Sequence, residues 1–208
     1  VAAIPTTTTT PAVVVADAAN NTVSVVSSNG TALAASTPVS LVSGCEPANV
    51  AIGPASGAAA TVYVTCPGTG QVEVGTVSGT GTPTLGSFTA TTLPTTGPNT
   101  PSPYGVAVNA AGTDLVVTDS ANNDAVAYPS LSGASLGTGT VIAVGTTPDG
   151  VGIDGSNAFV ANEASNNVTV IDPPATSTNP GHQRAQVRAN VARRRVSLTP
   201  LIAPLTGR

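Results

Sequence analysis

Asp114-Leu-Val-Val-Thr-Asp119-Ser-Ala-Asn-Asn-Asp-Ala-Val-Ala127 reads as a β-hairpin. An apolar run ends at one short polar residue, Asp119; four turn-forming residues follow, and a second strand resumes with apolar and small side chains. Asp and Asn at a strand end accept bonds from their own backbone two residues on, and Asn tolerates left-handed turn positions. The pattern recurs in Ala12-Val-Val-Val-Ala-Asp17-Ala-Ala-Asn-Asn-Thr-Val-Ser-Val-Val26, in Thr61-Val-Tyr-Val-Thr-Cys66-Pro-Gly-Thr-Gly-Gln-Val-Glu-Val74 and in Ala158-Phe-Val-Ala-Asn162-Glu-Ala-Ser-Asn-Asn-Val-Thr-Val170. The equivalent residues Asp17, Cys66, Asp119 and Asn162 lie 49, 53 and 43 positions apart.

Working outward, Asn49–Ile52, Gly105–Val108 and Gly150–Ile153 each form a preceding strand with a proline two residues upstream (Pro47, Pro103, Pro148), and Val1–Ile4 fits the same slot. A fourth strand follows in three units, over Thr37–Val42, Ser87–Leu93 and Thr140–Val144. Four antiparallel strands in a unit of ~40–50 residues describe a β-propeller blade. The expected fold is all-β, with about four such blades over residues 1–173 (approximately 1–45, 46–98, 99–145 and 146–173). Residues 174–208 are expected to be an arginine-rich tail or connector, with a short helix in His182–Arg195 and a last strand at Val196–Leu201.

Pro103-Tyr-Gly-Val-Ala-Val108, Tyr63-Val-Thr-Cys66 and Phe159-Val-Ala-Asn162 with Asn167-Val-Thr-Val-Ile-Asp172 resemble the YVTN family of β-propeller repeats, over about residues 1–172. The resemblance implies a propeller of the kind often found on bacterial and archaeal cell surfaces or in secreted proteins, with lactonase-type enzymes among its relatives. It also implies a ring of about seven blades, of which four units are visible here.

Charge narrows the function classes. The ten acids lie between Asp17 and Asp172 and the six arginines between Arg184 and Arg208, and lysine is absent. A body without Lys or Arg offers no basic groove, so nucleic acid is excluded as its partner. The longest apolar run, Ala12–Ala16, is far short of the ~18 residues of a membrane-spanning helix. Val1 opens the chain without a basic, apolar leader, which reads as a processed form or a fragment.

Cys45 and Cys66 fall at one end of the second unit's first hairpin, and pairing Val50 with Thr61 would set them opposite each other. A disulfide there closes a loop of about 20 residues, worth ~3 kcal/mol in the chain-entropy model, and implies an oxidising compartment. Extracellular or cell-surface localisation is therefore expected. Asn20, Asn29 and Asn167 are N-glycosylation acceptor patterns, and Thr6–Thr10 between prolines suits O-glycosylation. Both patterns also arise by chance in a Thr/Asn-rich chain.

Catalytic candidates are few. The single imidazole, His182, lies in the tail, so no Ser–His–Asp or Cys–His set assembles, and no cofactor or His/Cys metal site is expected. Asp17, Asp119 and Asn162 are read as turn caps in preference to a ring of ligands for a hard cation, a set that Cys66 would break. Lactonase-type relatives are expected to hold an anionic sugar acid with cationic or histidine groups, which residues 1–181 lack. A carboxylate pairing among Glu46, Asp149 and Glu163 is the remaining enzymatic option. Arg193, Arg194 and Arg195 are candidates for electrostatic docking on an acidic surface, such as another copy of the chain or an extracellular polymer. These readings favour an exported, non-enzymatic structural and interaction module that self-assembles through blade edges. The alternatives are a lactonase- or lyase-type enzyme or small-ligand binder, and a glycan-binding adhesion domain.

Overall fold

The computed structural model describes residues 1–5, 11–79, 82–132, 135–155 and 157–172, and the backbone of 183–188. Four antiparallel sheets follow one another in chain order as the blades of a β-propeller. Blade 1 contains β1 (Ala2–Ala3), β2 (Ala12–Asp17) and β3 (Thr22–Ser28), with an outer strand broken into β4 (Leu33–Ala35) and β5 (Val39–Ser40), both pairing β3. Blade 2 repeats this with β6 (Val50–Ile52), β7 (Ala59–Cys66) and β8 (Gln71–Ser78), and with β9 (Thr84–Leu85) and β10 (Thr89–Thr92) both on β8. Blade 3 comprises β11 (Pro103–Val108), β12 (Leu115–Asp119), β13 (Asp124–Tyr128) and β14 (Thr140–Ala143). In blade 4, β15 (Pro148–Asp154), β16 (Asn157–Asn162), β17 (Asn167–Ile171) and β18 (Gln183–Arg188) follow in order.

The break in the outer strand of blade 1 has a local cause. Pro38 has no N–H for a ladder, and the Ser36 hydroxyl takes over as acceptor for Val25 N–H at 2.9 Å while Ser36 N–H donates to Val25 O at 2.7 Å.

Alternation decides which blade each side chain faces. In β3 the residues Val23, Val25 and Ser27 are buried and their neighbours half-buried, as for a sheet covered on one side. Every residue of β12 and β13 is buried, because blade 3 is covered on both faces. The core thus consists of three slabs between blades. Val14, Val23 and Val25 meet Val62, Val64 and Val77; Tyr63, Val72 and Val74 meet Leu115, Val117, Val126 and Tyr128; Val116, Ala125 and Ala127 meet Ala158, Val160 and Ile171. With so few aromatics, aliphatic fit supplies the cohesion. Leu115→Ala, at a position with no solvent exposure, is expected to cost about 2–5 kcal/mol in urea unfolding.

Two sequence expectations need correction. The first is the helix in the tail. Residues 183–188 form the outer strand β18, with Val187 paired to Val168 and Ala185 to Val170. A helix this short is marginal alone, whereas the unpaired edge of β17 offers a row of backbone donors and acceptors. The expected last strand at 196–201, and Arg193–Arg195, lie outside the described residues, as does Thr6–Thr10. The second correction is register: Val50 pairs with Val64, not Thr61. The longer connection accommodates an extra Ser56–Ala59 bridge before β7.

Candidate functional site at the rim of blades 3 and 4

The first strand of blades 3 and 4 opens on Pro-x-Gly, Pro103-Tyr-Gly105 and Pro148-Asp-Gly150, and in blade 2 the variant Pro47-Ala-Asn49 immediately precedes it. The second strand ends one residue past a threonine in blades 2 and 3, Thr65 and Thr118. These hydroxyls join the blades. Thr118 Oγ1 accepts from Gly105 N–H at 2.8 Å within its own blade and donates to Asp149 O of the next at 2.9 Å. Thr65 Oγ1 likewise accepts from Asn49 N–H at 3.0 Å and donates to Tyr104 O at 2.8 Å. The middle residues of consecutive Pro-x-Gly elements, Tyr104 and Asp149, are thereby fixed side by side on one rim.

A second device positions the adjoining turn. Asn21, Gly70, Asn123 and Asn166 close the four hairpin turns, all with positive φ (52°, 67°, 59° and 52°). Asn21 and Asn123 also reach the next blade, where Asn21 Oδ1 accepts from Glu46 N–H at 2.7 Å and Asn123 Oδ1 from Thr147 N–H at 2.9 Å. Thr147 is held at φ 51°, an unfavourable conformation for a β-branched residue. Its carbonyl accepts from Glu163 N–H at 2.9 Å, which brings Glu163 over the Asp149 rim.

Two open depressions meet there and share Asp149 and Glu163. One, of about 210 Å³, is also lined by Tyr104, Ser120 and Thr147. The other, of about 300 Å³, is also lined by Asn162, Asn166 and Asn167. Tyr104 and Glu163 are exposed and Asp149 is half-buried. The site therefore offers two carboxylates as general bases, a phenol as donor and several hydroxyl and amide groups for hydrogen bonds. Of the three acids that the sequence left as a possible carboxylate pairing, Asp149 and Glu163 line the same depressions, whereas Glu46 lines neither. Tyr104, Ser120 and Thr147 were missed, although the Pro-x-Gly repeat marked the position of Tyr104.

The residues ending each second strand do local work. Cys45 and Cys66 form a disulfide with Cα atoms 4.4 Å apart, both fully buried. It forms despite the different register because the chain turns sharply at Glu46, φ 52°. Asp119 Oδ1 accepts from Ser102 N–H at 2.8 Å and Asn162 Oδ1 from Gly145 N–H at 3.0 Å, so in blades 3 and 4 a hydrogen bond ties the same lead-in loop that the disulfide ties in blade 2. Asp17 Oδ1 accepts from the N–H groups of Ala19 and Asn20 at 3.1 and 3.2 Å, and Oδ2 from Asn20 Nδ2 at 2.8 Å. The Asn20 side chain, followed by its backbone N–H, lowers the Asp17 pKa.

The three glycosylation candidates differ in setting. Asn20 and Asn29 are exposed, on turns of blade 1; Asn29 Oδ1 accepts three bonds from Thr31 and Ala32. Asn167 is half-buried, and its Oδ1 accepts from Asn162 Nδ2 at 2.7 Å.

Asp124 was not anticipated. It is paired across the turn with Asp119 and is 3% exposed. Burial first, and the Asp119 carboxylate second, push its pKa up to about 7, against a smaller opposing effect of the Thr95 hydroxyl.

No family model and no curated protein matches the chain. Solved structures do, at low identity. A protein from Lactobacillus plantarum is 20% identical with a TM-score of 0.67, over 92% of this chain and 56% of that one. A putative 6-phosphogluconolactonase from Bacteroides uniformis is 17% identical with a TM-score of 0.62, over 88% of this chain and 54% of that one. A periplasmic gluconolactonase from Pseudomonas aeruginosa is 19% identical with a TM-score of 0.60, over 85% of this chain and 53% of that one. The chain thus spans about half the length of these structures.

The expectation of a non-enzymatic structural module is corrected by this comparison, since neighbours named as lactonases favour the enzymatic alternative. Residues 1–181 contain no Lys, Arg or His, which weighs against an anionic substrate but not against a neutral one.

Proposed function

We propose that this chain carries the site of a lactonase-type propeller that acts on a neutral sugar lactone. The observation that carries the reading is the pairing of Asp149 and Glu163 on one rim depression, beside the Tyr104 phenol, in a fold shared with gluconolactonases. One carboxylate accepts a proton from water as it attacks the ester carbonyl, while the phenol donates a hydrogen bond to the oxygen on which charge develops. Collapse of the tetrahedral adduct breaks the ring C–O bond, and the protonated carboxylic acid returns its proton to the departing ring oxygen, which becomes the hydroxyl of the released acid. The second carboxylate and the Asn166 amide bind sugar hydroxyls. A phosphorylated lactone is disfavoured, because the described rim offers two acids and residues 1–183 contain no Lys or Arg to bind phosphate. Membership of the YVTN repeat family is part of the same reading, supported by the recurrent Thr-Cys66 and Thr-Asp119 strand ends. Export is supported by the buried disulfide.

The test is lactone hydrolysis by the full chain, followed by acid release above the spontaneous rate, with gluconolactone and its 6-phosphate as paired substrates. Turnover of the neutral lactone is expected, with a fall of about 10²-fold or more in kcat for whichever of Asp149→Asn and Glu163→Gln removes the base. Hydrolysis at only the spontaneous rate, or variants equal to the wild type, refutes the assignment.

A further inference from the structure

We propose that Asp119 and Asp124, with the Thr95 hydroxyl, form a site for one hard divalent cation, Ca²⁺ or Mg²⁺, at the end of blade 3. Asp119 and Asp124 are directly paired across the β12–β13 turn, so their side chains leave the sheet on the same face. In blade 4 the same two positions are Asn162 and Asn167, linked by an amide N–H donated to an amide oxygen at 2.7 Å. In blade 3 both are carboxylates, and that donor is gone. Asp119 is otherwise engaged: it accepts from Ser102 N–H, Ala121 N–H and Asn122 Nδ2 at 2.8, 3.1 and 2.7 Å. Three of its roughly four acceptor sites are used, which leaves one on Oδ2.

Asp124 has less support: of its neighbours only the Thr95 hydroxyl acts to favour its charged form. Both its oxygens are buried without a hydrogen bond of acceptable geometry. Buried carboxylates are ordinarily paired, hydrogen-bonded or bound to metal. Residues 1–183 contain no Lys or Arg to pair with it. The available donors are all oxygens: two carboxylates and Thr95 Oγ1, which already accepts from Gly97 N–H at 3.0 Å. Oxygen-only donors with a charge of −2 select hard cations, and so small a ligand set fits the weak, millimolar class of extracellular sites. Among the described residues no cluster of three or more His, Cys, Asp or Glu assembles, so the remaining coordination would come from water.

The inference is independent of the catalytic reading, since none of these residues lines the rim depressions. Its test is thermal unfolding of the full chain by circular dichroism at pH 7.5. The comparison is 10 mM CaCl₂ or MgCl₂ against NaCl of equal ionic strength, with calorimetric titration of the same protein. One equivalent of cation should bind, and the midpoint should rise by about 3–6 °C. Asp124→Asn should abolish both effects, while Asp149→Asn should retain both. Should Asp124→Asn not fold, Thr95→Val provides the second variant, with weaker binding expected. Absence of any isotherm or shift overturns the proposal and leaves the pair sharing a proton. A shift that survives in Asp124→Asn assigns the effect to surface carboxylates and overturns it equally.

Discussion

Gly105→Ala is expected to destabilise the chain by about 2–4 kcal/mol, measured by urea unfolding. A methyl group at Gly105 would collide with the carbonyl oxygen of Asp149 and would also sit 3.0 Å from Thr118 Oγ1. Those are the two atoms of the joint between blades 3 and 4. Neither can retreat cheaply: one is backbone, and the other is a fully buried hydroxyl with partners on both sides. The cost therefore combines overpacking with the loss of a buried hydrogen bond. The equivalent residue of blade 4, Gly150, has nothing within 4 Å of its added Cβ. Gly150→Ala should stay within about 0.5 kcal/mol of the wild type, and equal effects at the two glycines would refute this account of the joint. Blade 2 has Asn49 at the same position, which lies just outside β6.

Replacing Cys45 and Cys66 together by alanine should have an effect of similar size. The bridge spans 21 residues, for which chain entropy gives ~3 kcal/mol, or a fall of about 6–12 °C in the unfolding midpoint. The substitution also detaches the lead-in loop from the end of β7, where blades 3 and 4 use Asp119 and Asn162. Cys66→Asn in a Cys45→Ser background should recover part of the loss, since the Asn162 amide reaches the lead-in loop in blade 4. A midpoint unchanged by the double substitution, or by reductant on the wild type, would show that the bridge contributes nothing beyond the sheet itself.

Much of the architecture was readable from sequence because it is repeated. A single Val-Thr-Asp-Ser-Ala-Asn-Asn run could be any hairpin, but four in phase require a blade, and the observed strands Ala12–Asp17, Ala59–Cys66, Leu115–Asp119 and Asn157–Asn162 fall where the repeats place them. Register around Cys45 was harder. It depends on a positive-φ turn at Glu46 and on the extra bridge at Ser56, neither of which hydrophobic patterning encodes. The strand at Gln183–Arg188 was masked by its arginines, which suit a helix locally while an open sheet edge decides the outcome.

The candidate site was half visible. Asp149 and Glu163 were among three acids that the sequence offered with nothing to single them out, and Tyr104 acquires its place only when the Thr118 and Thr65 hydroxyls set adjacent blades side by side. The Asp119–Asp124 pair was derivable in principle, since a four-residue turn aligns the two positions.

The threonine joints also bear on how such a chain lengthens. Each joint runs from a side-chain hydroxyl to a main-chain carbonyl, Thr65 to Tyr104 and Thr118 to Asp149, and so is indifferent to the side chain at the receiving position. A tyrosine and an aspartate serve equally well as sockets. Any unit ending its second strand with such a threonine can accept any unit opening on this lead-in, without matched substitutions on the two sides. Gene duplication can then add or reorder blades while the rim residues diverge freely, so the chemistry of the mouth can be rewritten blade by blade without disturbing the couplings beneath it.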